Sequence, residues 1–149
     1  MIRIAQTLLV ASLLAFTPAI SVLAQSDAEI SKTLDTLFGS HKPYQDFLAG
    51  LQKAVAAADK TAVAGMISYP LKTKIAGKAT TLHNAKEFAA HYDALVTPKV
   101  AAAVKGQTYA KLFANAEGVM IGDGEVWFSG VCSDNACAKQ TVQVTAINQ

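Results

Sequence analysis

The chain has 149 residues, 52% of them hydrophobic, with 13 basic and 11 acidic side chains and a formal charge of +2. So small a charge excess leaves no electrostatic footprint for nucleic acid, and the apolar content excludes an acidic, solvated disordered chain. There is no internal repeat, no linker rich in proline and glycine and no run of five like charges, so one domain is expected.

The first element is a leader. Arg3 precedes an apolar run over residues 8–16, and Val22 and Ala24 occupy the two small positions read by a signal peptidase. Pro18 interrupts the apolar segment, whereas a membrane-spanning helix needs about 20 apolar residues. Residues 1–24 are therefore read as a signal peptide cleaved after Ala24. Gln25 rather than cysteine follows it, so no lipid anchor is expected. Residues 25–149 form the mature domain, periplasmic or secreted, with no membrane attachment and 12 basic against 11 acidic groups.

Ile30, Leu34, Leu37 and Phe38 fall at helical spacing, predicting a helix over 28–38 that Gly39 ends. Pro43 starts a second helix, 43–58, whose face is Tyr44, Phe47, Leu48, Leu51 and Val55. Asp59 caps a third over 60–67, and Pro70 stops it. Residues 71–75 alternate apolar or β-branched groups with Lys72 and Lys74, and residues 79–82 return from a turn at 76–78, giving a hairpin. Lys72, Lys74 and Lys78 share an exposed neighbourhood that could receive an anion, although lysines on a strand commonly protect an edge.

Asn84 and Glu87 form a capping box for a helix carrying Phe88, Tyr92 and Leu95. Thr97-Pro98 opens a short helix that Gly106 ends, and residues 109–113 are read as strand. The most distinctive stretch, residues 118–128, reads Gly-Val-Met-Ile-Gly-Asp-Gly-Glu-Val-Trp-Phe and holds the single tryptophan. Helices first and sheet last define an α+β plan.

Cys132 and Cys137, the two cysteines, should form a disulfide in an oxidising compartment. If they lie opposite one another across a hairpin, Trp127 faces Val142 and Glu125 faces Val144 on the concave side, with Trp127 anchoring the core. Val126 and Phe128 then lie outside, where they offer a surface for a homodimer. A bulge at Gly122 or Gly124 would reverse the direction of Glu125.

Several of these segments together resemble small secreted bacterial proteins of the nuclear transport factor 2-like, or cystatin-like, fold. The resemblance rests on Tyr69-Pro70-Leu71, Phe88-x-x-x-Tyr92-Asp93, Leu112-Phe113-x-Asn115 and residues 118–128. It implies a cone, with N-terminal helices packed on a bent antiparallel sheet and a pocket between them. That superfamily includes isomerases, dehydratases, polyketide cyclases, binding subunits and many members without an assigned role, so the fold carries little functional information. No catalytic residue of its enzymes maps onto this sequence.

The chemistry-bearing residues are few. His83, Glu87 and His91 are spaced by four, yet Glu87 is already used by the cap, and no metal site or cofactor is expected. Glu125, His91 and Tyr92 would form an acid/base set if they converged with Trp127, Phe88 and Tyr69 in a cone pocket. Without a nucleophile pair or ligand set, the preferred reading is a non-catalytic module binding a small apolar ligand or a protein. A cofactor-independent isomerase, dehydratase or hydrolase is one alternative, and a periplasmic inhibitor or immunity-type protein is another.

Overall fold

A computed structural model describes residues 25–149; the predicted leader lies outside the described residues. Helix α1, Asp27–Phe38, begins where the Ser26 hydroxyl accepts from the Glu29 amide at 3.2 Å and the Glu29 carboxylate accepts from the Ser26 amide at 2.6 Å. These reciprocal bonds satisfy two otherwise orphaned donors. Gly39, at φ 82°, ends the helix in the left-handed conformation. Helix α2, Lys42–Ala56, buries Tyr44, Phe47, Leu48, Leu51 and Val55, the predicted stripe. Helix α3, Lys60–Ala64, is capped by Asp59 and stops earlier than its apolar spacing indicates. The reason is tertiary, because residues 66–68 use their backbone to pair with a strand described below.

Strands β1, Leu71–Ile75, and β2, Lys78–Leu82, form the expected hairpin. The helix after Asn84 is not continuous: α4, Ala85–Ala90, and α5, Tyr92–Leu95, meet at His91, whose φ of −108° and ψ of 11° depart from helical values. The break still leaves Phe88, Tyr92 and Leu95 all buried. Helix α6, Pro98–Gly106, follows with proline in its first turn. Residues 109–111 form a 3₁₀ turn rather than strand. Its three-residue period sets Tyr109 and Leu112 on one side, where Leu112 is buried and the Tyr109 hydroxyl meets Ser31 Oγ at 3.1 Å.

Strands β3, Phe113–Asn115, β4, Gly118–Ile121, β5, Val126–Cys132, and β6, Gln140–Ile147, form an antiparallel sheet in that order. The fold is α+β, helices followed by a bent antiparallel sheet. β6 is covered along its outer edge by residues 66–68, since Val144 N–H donates to Met66 O at 2.9 Å and Ser68 N–H donates to Val144 O at 2.8 Å. Between sheet and helices lies one apolar core in which Phe128 packs on Phe47 and Tyr44, with ring centroids 5.1 and 6.2 Å away.

The register corrects the sequence expectation. Cys132 and Cys137 do form the disulfide, but Cys137 lies in the connection before β6, at φ 50°, and Cys132 pairs with Gln140. Gly130 therefore faces Val142 and Phe128 faces Val144. Relative to direct cysteine opposition this is an odd shift of three residues, and an odd shift moves the whole apolar set of a strand to the other face. Val126 and Phe128, 2% and 0% exposed, are the core residues, so no dimer surface forms around them. Trp127 is half-buried on the outer face and does not anchor the core. The bulge sits at Trp127/Phe128, where Trp127 pairs with Ala146 and Phe128 with Val144, not at Gly122 or Gly124.

Candidate functional site

The β4–β5 turn, residues 122–125, gathers the polar groups of this end of the sheet. Gly122 adopts φ 65°, and its N–H donates to Gln107 Oε1 at 2.8 Å. A side chain at Gly122 would occupy the place of the Glu125 carboxylate, so glycine is required there for both conformation and space. Glu125 is the buried charged residue among the described residues, 7% exposed. Its Oε2 accepts from the Asp123 N–H at 2.6 Å and its Oε1 meets Lys99 Nζ at 3.1 Å. The Lys99 ammonium and then the turn amides hold the carboxyl below the usual carboxylate range, against the opposing effect of burial. Asn148, the residue after β6, locks the turn, donating its N–H to Glu125 O at 2.8 Å and its side-chain amide to Gly124 O at 2.7 Å.

Glu125 and Trp127 share a surface cleft of about 300 Å³ with Lys99, Met120, Asp123 and Asn148. Phe113, 50% exposed, packs edge-to-face against Trp127 at 6.4 Å, and pairing across the sheet aligns Phe113, Met120, Trp127 and Ala146 in one outward row.

The acid/base set of the sequence reading is not brought together in this cleft, which neither His91 nor Tyr92 lines. His91 is exposed at the break between α4 and α5. Tyr92 is buried against Phe88 in an edge-on pair at 6.3 Å, with Lys60 Nζ 5.5 Å from its ring and burial raising its hydroxyl pKa. Phe88 is wholly core. Tyr69 is half-buried, donates its hydroxyl to Ala64 O at 2.9 Å, and is pushed up to about 12 by burial. Asn84 caps the helix as predicted, its Oδ1 accepting from the Glu87 N–H at 3.0 Å, but Glu87 accepts from the His83 N–H at 2.8 Å and the Asn84 side-chain amide at 3.0 Å rather than from the Asn84 backbone, so the reciprocal capping box does not form.

The space between the helices and the sheet is filled by the apolar core. Val55, Val63, Ile67, Val100, Val126 and Val144 surround a space of about 10 Å³, no more than the volume one water needs. Two groups escaped the sequence reading. Lys99 is 26 positions from its partner and shares no local pattern with it, whereas Phe113 was visible as an aromatic residue but its exposure depended on the strand starting there. Comparison of the chain with protein-family models, with curated proteins and with solved structures finds no match.

Proposed function

We propose that the chain is an extracytoplasmic, non-catalytic binding module of nuclear transport factor 2-like type that meets a protein partner with its surface. The carrying observation is the filled interior: a space of about 10 Å³ cannot hold an apolar small molecule, while the open clefts lie outside. The disulfide supports the compartment, and among the described residues no helix is long and apolar enough to cross a membrane. The helices packed on a bent antiparallel sheet support the cone architecture. Glu125, committed to Lys99 and the Asp123 amide, serves the turn rather than a proton transfer.

Affinity capture tests this reading. The disulfide-intact protein is immobilised, exposed to envelope extract from the producing cell, crosslinked, and its eluate is analysed for proteins and for solvent-extractable small molecules. A retained protein crosslinked to the module's surface is expected. A small molecule recovered at stoichiometric amount, or no protein retained above a blocked-resin control, would overturn it.

A further inference from the structure

A surface groove of about 570 Å³ runs along β1, with Lys72, Thr73, Lys74 and Ala79 of the hairpin on one side and Ile147 and Asn148, at and just beyond the end of β6, on the other. Its character follows from the turn. Ala76 and Gly77 both have positive φ, 50° and 77°, the combination of a type I′ turn, and Ile75 faces Lys78 directly across it. In such a two-residue hairpin the flanking pair exchanges backbone hydrogen bonds, and bonded pairs then alternate with non-bonded ones. Ile75, Thr73 and Leu71 therefore bond to β2. The N–H and C=O of Lys72 and Lys74 point the other way, to the open edge.

Among the described residues those four backbone groups have no protein hydrogen-bond partner outside the hairpin, and Lys72, Lys74 and Lys78 have no carboxylate within ion-pair distance. The sheet does not continue across the gap. Instead the Thr73 hydroxyl donates to Ile147 O at 3.1 Å, which fixes the groove wall while leaving the neighbouring edge groups unused.

We propose that this edge receives an extended, acidic peptide segment of a partner protein, added as a third strand to the β1–β2 hairpin. The inference rests on the protein-binding reading above and names the chemistry of the partner. Backbone bonds to Lys72 and Lys74 supply the affinity, and carboxylates on alternate residues of the incoming strand face the two lysines, which share one side of β1. Opposite charges across a strand pair are favourable and like charges are not. A second copy pairing through the same edge sets lysine against lysine, so charge selects against self-association and for an acidic partner.

The probe is an acetylated, amidated eight-residue peptide of alternating glutamate and threonine, with three twins: glutamine in place of glutamate, and two versions N-methylated on one or the other alternate set of residues. Binding is read by fluorescence anisotropy and by hydrogen exchange at the Lys72 and Lys74 amides. The glutamate peptide is expected to bind and to protect those two amides. The glutamine twin, the doubly substituted Lys72→Gln/Lys74→Gln protein and one of the two N-methylated twins should each bind at least about tenfold weaker, a difference of about 1.4 kcal/mol. Circular dichroism of the exposed double variant verifies its fold.

Equal binding by the glutamine twin would overturn the acidic partner and equal binding by both N-methylated twins would overturn strand addition, and either rejects the proposal; so would absence of binding at about millimolar peptide. Displacement by inorganic phosphate at the peptide's own concentration would mark a small-anion site instead. Dimer formation through this edge in ultracentrifugation would make a second copy the occupant and reject the proposal. The two readings fail separately: if the envelope partner is captured equally by wild-type and double-variant protein, binding stands and this edge does not carry it.

Discussion

Glu125 shows how one buried charge can be structural. Its carboxylate closes the β4–β5 turn while Lys99 reaches it from α6, so the side chain joins two elements far apart in sequence. Glu125→Gln keeps an acceptor for the Asp123 amide but loses the ion pair, and should cost about 1 kcal/mol; Glu125→Ala loses both and should cost about 2 to 3 kcal/mol. The folded carboxyl has a lowered pKa, so its contribution is present above the unfolded-state value and fades as pH falls through the folded one. Urea midpoints should therefore separate wild type from Glu125→Gln at pH 7 and converge in acid; an equal gap at both pH values would contradict the ion-pair account. Tyr69 has the opposite sign. With its pKa raised to about 12, its contribution is present below the unfolded-state value near 10.0 and disappears as pH rises through 12. Ultraviolet titration should show a late tyrosine that Tyr69→Phe removes. The sequence posed the question of Glu125's direction; it could not supply the answer, because Lys99 and Asn148 reach the turn only through the tertiary fold.

At the scale of elements, the helices and the β1–β2 hairpin were legible because their signals are local: helical spacing from Ile30 to Phe38, Asp59, Asn84 and Thr97 at helix starts, Pro43 and Pro98 in first turns, and alternation in residues 71–75. The register of β5 on β6 was not. It depends on where Cys137 sits in the connecting loop, and the three-residue difference exchanges Trp127 for Phe128 in the core. Phe128→Ala should cost about 3 to 5 kcal/mol by the loss of a fully buried ring, and Trp127→Ala less than half of that. Chemical denaturation of the two variants checks the assignment, and the reverse ranking would return Trp127 to the core. Gly118 marks the same interface from β4: at φ 148°, with a Cβ there only 2.8 Å from Phe128 O, Gly118→Ala should destabilise by at least about 1 kcal/mol.

For the whole molecule, the α+β plan and the cysteine pairing were readable from the sequence, since helical periodicity, alternation and the two cysteines suffice. The filled interior was not readable, because whether valines from α2, α3, α6, β5 and β6 close the space between helices and sheet depends on how far apart the fold holds them. The disulfide closes only a short loop, so its reduction should lower stability by about 2 kcal/mol and leave the protein folded, a result checked by thermal denaturation with and without reductant. The coverage of β6 by residues 66–68 sets a hierarchy of motion. Val144 has both backbone groups engaged on that side and its side chain sealed beneath, so its amide should exchange with deuterium only when the entire molecule opens. The hairpin edge at Lys72 and Lys74 has no such cover and should exchange by local fluctuation, giving a rigid centre beside a margin that can open without unfolding the rest.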